Sequence, residues 1–468
     1  MRDATAMAEA VARGETTPGA LLDAALAQAD AVADLNATTL LRPDAARAAI
    51  AAGLPEGPFT GVPFLLKDLG AEAVDFPSTG GSRLLQGTSH RFDSALWSRI
   101  RATGVVCFGR TTTPEGGIGP ATEAATYGGP TRNPWDPSRT PGGSSGGAGA
   151  AVAAGIVPMA HGSDGGGSIR IPASCCGLLG FKATRGRFPD GPDAGEGWAG
   201  MAIDGFLARS VRDAAAMMDA CAGPDLGAPY TAPPLREGFL TAIRRAPRAL
   251  RVGVCETRFD GSPVHPHCAD AVRDAATLLE GLGHHVAPLR PEADHDGMML
   301  AWTRIVACGA ALWVRQRLAV LGRGLRDGDV EGVTRGAIRY AAGIDGATYL
   351  EAVETVHDYG RAMAAAMAGV DVLLSPTLAE PPALVGRFAH GTEDYEAFRI
   401  GPQGVFAYSP FCASFNASGQ PAVSVPLWWA DGLPIGIHLA ARTGEDETLL
   451  ALCAQLEAAR PWAHRMAG

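Results

Sequence analysis

The sequence predicts an α/β protein, one large domain with a mixed central β-sheet covered by helices on both faces. Three observations carry that prediction. Short apolar runs such as Gly61-Val-Pro-Phe-Leu-Leu-Lys67 and Leu250-Arg-Val-Gly-Val-Cys255 alternate with longer amphipathic stretches, the pattern of strands buried between helices. Sheet-like runs occur both before and after a Gly/Ser-rich block at 111–200, so the block lies inside a single domain spanning 1–468. Of the 468 residues 47% are hydrophobic and 19% charged, which excludes disorder and lets the chain bury a large core without staples.

Residues 1–60 open with helices: Leu21, Leu22, Ala25, Leu26 and Ala29 recur on one face, and Pro18 suits a first helical turn. The run 61–68 reads as a buried strand with Lys67 at its carboxyl end. Residues 92–102 then read as a helix and Val105–Gly109 as a strand. The block 111–200 holds few periodic segments apart from a small-residue helix at 146–154. With Tyr127, Trp135, Ile169, Ile171 and Phe181 it is too apolar for a linker, and a long irregular stretch inside a compact domain points to function. After a Pro-rich crossing at 224–234 come a strand at 250–255, a helix at 266–283 and a strand at His285–Leu289. Residues 298–366 read as almost wholly helical. Strands return at Asp371–Ser375, Ala422–Pro426 and Ile435–Leu439, and a helix at 446–459 closes the chain.

Composition narrows the function. With 39 Lys and Arg against 49 Asp and Glu, the net charge of −10 argues against nucleic acid as a partner. The amino terminus has no secretory h-region, and no apolar run approaches the ~18 residues that span a bilayer, so no membrane is expected. Nine cysteines without a paired framework suit a reduced cytoplasm. His265-Pro-His267-Cys268 looks like part of a metal site, but no second ligand pair stands at a suitable spacing, and no metal is expected. No nucleotide cofactor is expected either: Ala148 stands where a P-loop needs lysine, and no G-x-G-x-x-G follows a strand.

Two segments carry chemistry. Pro141-Gly-Gly-Ser144-Ser145-Gly-Gly matches G-x-S-x-G twice, but a nucleophile elbow needs a strand leading into the turn, and Arg132–Thr140 with its prolines cannot supply one. In His161-Gly-Ser-Asp164-Gly165-Gly166-Gly167-Ser168-Ile-Arg170-Ile171-Pro, three glycines let backbone N–H groups turn inward on a ligand. If Ser168 opens a helix, those groups form an oxyanion hole around its hydroxyl. A tight turn with an N-cap serine fits the same residues.

Taken together, the segments resemble the amidase signature family. The likeness runs from Asn133-Pro-Trp-Asp through both Ser/Gly motifs, continues in Gly180-Phe-Lys-Ala-Thr and Arg209-Ser-Val-Arg-Asp213, and returns at Asp371–Thr377, Asn416–Pro421 and Leu433–Ile437. It covers a signature core at 61–220 and leaves only 290–366 unplaced, a variable helical region expected to bind substrate. The resemblance implies Lys67 as base, Ser144 after a cis peptide as proton relay and Ser168 as nucleophile. It also implies an oxyanion hole from the N–H groups of Gly165, Gly166, Gly167 and Ser168. Ser145, Asp164 and Arg170 are expected to support the loop, with a surface ion pair as the plainer reading of the last two. A lysine serves as base because burial disfavours its charged form.

The chain departs from the family at Gly165, where Thr, Ile or Val is common, and at Ser163, where Thr is common. Gly165 is expected to loosen the hole or make room for a wider acyl group. Cys308 is expected in the substrate pocket, as in relatives that hydrolyse cyclic amides, and Trp302 is expected there from its position in the helical region alone. The implied partner is a small-molecule amide or carbamate, and a homodimer is the assembly considered. Within the family the cyclic-amide and urethanase-like branches come first, and esters pass through a similar oxyanion. A glutaminase subunit of a tRNA-dependent amidotransferase is the rival enzyme, with Ile171 standing against it where such subunits carry Gln. A non-catalytic binding module is the rival from another class, and the joint presence of Lys67, Ser144 and Ser168 stands against that.

Overall fold

The computed structural model describes residues 3–467. Among them eleven strands form one sheet: β1 (Thr38–Thr39), β2 (Pro63–Lys67), β3 (Val106–Thr111), β4 (Met159–Asp164), β5 (Leu179–Lys182), β6 (Ile203–Ala208), β7 (Arg251–Val254), β8 (His285–Pro288), β9 (Val372–Pro376), β10 (Ala422–Ala430) and β11 (Leu433–Ala441). Their order across the sheet is β1-β3-β2-β4-β6-β5-β10-β11-β9-β7-β8. Parallel pairs occupy β3-β2-β4 and β9-β7-β8, and the run from β4 to β9 is antiparallel. The sheet is mixed, as the sequence predicts.

Alternation along each strand feeds two cores. Phe64 and Leu66 of β2 point to one face, with Met217 of the helix Val211–Cys221, Val272 of Pro266–Gly281 and Leu452 of Asp446–Ala459. Leu65 points to the other, with Val152 of the helix Gly146–Ala153, Ile171 of Arg170–Cys176 and Ile305 of His295–Leu321. Every residue of β2, β3, β5, β9 and β11 is buried, which is why these strands read as continuous apolar runs where the sequence is apolar at all.

Three strands escape the pattern. β4 and β5 lie inside the stretch expected to be irregular, and β6 directly follows it. β4 reads Met-Ala-His-Gly-Ser-Asp, polar at half its positions because those side chains are satisfied by buried partners rather than by packing. The 298–366 region resolves into three helices, His295–Leu321, Gly332–Ala341 and Gly346–Ala366. The first corrects the expectation that no segment is apolar enough for a membrane: by length and composition it passes that test, with half of its apolar window buried in this protein. Met298, Ala301, Trp302, Ile305, Val306 and Ala310 spend that apolarity on the core.

Candidate active site

Lys67 is the last residue of β2, and the parallel pairing Leu65↔Ala160 sets it beside the end of β4. It is completely buried. Its Nζ donates to Ser144 Oγ at 2.7 Å and to Ser163 Oγ at 2.9 Å, and its backbone N–H donates to His161 Nδ1 at 3.2 Å. Burial pushes the ammonium pKa down to about 7, against the opposing pull of the Asp204 and Asp164 charges. Burial thereby brings the neutral amine within reach near neutral pH. Ser163 was visible in the sequence only as a replacement for Thr; the hydroxyl the two residues share is the part the lysine uses.

Ser144 follows a cis Gly143–Ser144 peptide. A side chain at Gly143 would stand 2.7 Å from the Ala121 backbone nitrogen, so the turn tolerates only glycine there. Ser145 turns away from the lysine. Its hydroxyl donates to the Ser163 carbonyl at 3.2 Å, and its N–H donates to the Ser168 carbonyl at 3.1 Å. It thereby ties β4 to the loop that carries Ser168.

That loop is braced from inside. Asp164 Oδ1 accepts from the Gly167 N–H at 2.7 Å, and Oδ2 accepts from the Ile169 N–H at 3.2 Å. Arg170 donates to both carboxylate oxygens, at 2.8 and 2.9 Å, and to Asn416 Oδ1 at 2.6 Å. Both ends of the ion pair are fully buried, so the surface reading of Asp164 and Arg170 is corrected. Burial alone would push the Asp164 carboxyl up; the Arg170 charge, with hydrogen bonds from Arg170 and Asn416, holds it well below the usual carboxylate range. Arg170→Leu leaves that carboxylate buried and unpaired, and should destabilise the fold by about 3–5 kcal/mol in denaturant unfolding. An unchanged midpoint would show that the pair is not the brace.

The expected oxyanion segment is modified in one respect. The Gly167 N–H is taken by Asp164, whereas the N–H groups of Gly165, Gly166 and Ser168 have no partner among the described residues. The helix begins at Arg170, two residues after Ser168, so Ser168 leads into the first turn without opening it.

A cavity of about 350 Å³ receives Ser144, Ser163, Gly165 and Ser168. Leu69, Leu85, Trp198 and Trp313 supply apolar wall, and Glu72, Asp190, Glu196 and Asp204 line it with carboxylates. Burial, with the Asp204 charge adding to it, pushes the Asp190 pKa up to about 7. Neither Trp302 nor Cys308 lines this cavity itself. Trp302 is buried behind the loop, where a Cβ at Gly166 would come within 1.9 Å of its ring, and the Arg399 guanidinium stacks 4.2 Å from its centre. Cys308 lines a neighbouring cavity of about 790 Å³. The expectation for Gly165 is corrected as well. The space a side chain would fill there is taken by Trp198, whose Cζ3 lies 2.5 Å from where a Cβ would be. The residues of the suspected metal cluster do separate jobs: His265 caps a helix, His267 pairs with Asp431, and Cys268 is buried.

The sequence profile of the family described as Amidase matches residues 20–450. A 6-aminohexanoate-cyclic-dimer hydrolase from Paenarthrobacter ureafaciens is 38% identical over 99% of this chain and 96% of that protein. A solved structure of 6-aminohexanoate cyclic dimer hydrolase superposes with a TM-score of 0.93 at 37% identity, covering 100% of this chain and 98% of that one. A bacterial aryl acylamidase of the amidase signature family superposes with a TM-score of 0.87 at 29% identity, over 99% and 97% of the two chains. The chain belongs to the amidase family and is a hydrolase of amide C–N bonds.

Proposed function

We propose that this hydrolase works through an acyl-enzyme on Ser168, with Lys67 as base and Ser144 as proton relay. Neutral Lys67 takes the Ser144 proton while Ser144 takes that of Ser168, whose oxygen attacks the amide carbon. The N–H groups of Gly165, Gly166 and Ser168 receive the developing oxyanion, with Gly167 held by Asp164 to shape their turn. The tetrahedral intermediate collapses as Ser144 returns a proton to the leaving nitrogen and recovers one from Lys67. Water then repeats the sequence on the ester, releasing the acid and free Ser168.

The observation that carries this reading is the 2.7 Å bond from a fully buried Lys67 to Ser144, in the cavity that Ser168 lines. The substrate we propose is a small aliphatic amide, cyclic or linear, as the names of the relatives suggest. Carbamates and esters form the same tetrahedral oxyanion and are proposed as secondary substrates. All nine cysteines are unpaired, which supports a reducing compartment such as the cytoplasm.

Treatment with a fluorophosphonate followed by peptide mapping tests the assignment. Label is expected on Ser168; label on Ser145 or on a cysteine would overturn it. A panel of cyclic and linear amides, carbamates, esters and glutamine then ranks the substrate classes. Glutamine as the best of them would favour the glutaminase reading.

A further inference from the structure

We propose that Trp198 is a partition that sets which substrates fit, closing the catalytic cavity off from the larger one beside it. The proposal rests on Ser168 being the acylated residue, and it concerns a side chain that the catalytic steps do not use. Two cavities meet at this indole. The one holding Ser144 and Ser168 measures about 350 Å³, the one lined by Ile305, Cys308, Leu312 and Tyr349 about 790 Å³, and Trp198 and Glu196 line both.

The indole is clamped between two glycines. A Cβ on Gly165 would lie 2.5 Å from its Cζ3, and a Cβ on Gly309 would lie 3.0 Å from its Cδ1 and Nε1. Each of these glycines leaves room for the ring. One belongs to the oxyanion loop and the other to the helix His295–Leu321. A third contact fixes the tilt: Trp198 meets Trp302 edge-on, centroids 6.3 Å apart at 69°. The backbone also departs from its usual range to present the ring. Trp198 and Ala199 both adopt left-handed φ, 49° and 54°, a conformation that L side chains avoid and that is held only where the surroundings demand it.

Removing the ring joins the two cavities along a mostly apolar wall. Chains too long for the smaller cavity then reach past Gly309 into the larger one, and a ring-shaped or compact amide loses the wall that positions it. The substrates gained are amides with an unbranched aliphatic extension.

The test uses the full-length enzyme, with Trp198→Ala and Trp198→Phe compared with the parent. Two homologous amide series are assayed, one lengthened on the acyl side and one on the amine side. Trp198→Ala should raise the kcat/KM ratio of long to short substrates in one series by about tenfold or more, the scale on which a pocket reads one or two methylenes. Trp198→Phe should shift the same ratio less and in the same direction. If the alanine variant fails to fold, the phenylalanine variant decides by the direction of its shift. A stability role alone would lower both substrates equally and leave the ratio where it was. Unchanged ratios in both series, with Ser168 still labelled by fluorophosphonate, overturn the partition alone. Absence of label on Ser168 in the parent overturns the acyl-enzyme reading and the partition with it.

Discussion

Ser168→Ala should lower kcat on amides by on the order of 10⁶-fold, the loss that follows deletion of a hydrolase's serine nucleophile. Its melting temperature should stay at the parent value. The two halves of that expectation have different causes. The hydroxyl is the only group in the cavity from which an acyl ester is proposed to form, and a retained oxyanion hole cannot replace it. Yet no other side chain bonds to that hydroxyl among the described residues, so its removal orphans no buried partner. The loop keeps its shape through Asp164, Arg170 and the Ser145 N–H, none of which is changed. Binding should survive as well, so a competitive product acid should show the parent affinity in calorimetry. Turnover within a few-fold of the parent would place the nucleophile elsewhere, and a large fall in melting temperature would mean that Ser168 is structural. Arg170→Leu makes the useful contrast, since it should fail by unfolding and not by losing a reacting atom.

The parts of the molecule that were legible in the sequence are those where local pattern and burial coincide. β2, β7, β9 and β11 are short apolar runs, and the helix Asp446–Ala459 lies where its periodicity predicts. β4 was hidden because it is a central strand made of His161, Gly162, Ser163 and Asp164, residues that a strand tolerates only with partners supplied from elsewhere in the chain. Those partners, Lys67 and Arg170, are themselves ionisable residue types, so neither end of the arrangement advertises burial. Lys67, Ser144 and Ser168 are named through the family resemblance; the pairing of β2 with β4 sets Lys67 behind the cavity that Ser144 and Ser168 line, within hydrogen-bond reach of Ser144. The reading of Cys308 rests on the family resemblance and that of Trp302 on its place in the helical region, and which side of that helix meets a cavity depends on loops that approach from outside it. Here the loop carrying Trp198 separates Cys308 from the serines, and the glycine loop covers Trp302. Gly165 looked like empty space because its occupant is 33 residues away in sequence.

Lys67→Ala should abolish the acid limb of the pH profile along with most of the rate. The parent's kcat/KM should climb about tenfold per pH unit while Lys67 is mostly protonated, because only the neutral amine can accept the Ser144 proton. It should level off above the lysine's pKa of about 7. Two other groups titrate in the same window and have to be separated from it. Asp190 lines the cavity with its pKa pushed up to about 7, and Lys182 is driven by burial to about 7 beneath the loop. Neither is a plausible source of the limb on geometry. Asp190 becomes charged as pH rises but has no hydrogen bond to either serine, and the Lys182 amine donates to the Ala183 carbonyl, away from the cavity. Asp190→Asn and Lys182→Met should therefore keep a limb near the parent position, while Lys67→Ala should give a flat profile. With the base gone and the oxyanion hole intact, Lys67→Ala should retain a residual acceleration over water on the order of 10³-fold. Ser144→Ala should be the mildest of the three serine and lysine variants, because a water molecule entering the space vacated by the hydroxyl can carry the proton to an unchanged Lys67. A limb that survives in Lys67→Ala, or one that disappears in Asp190→Asn, would move the base from the lysine to the carboxylate.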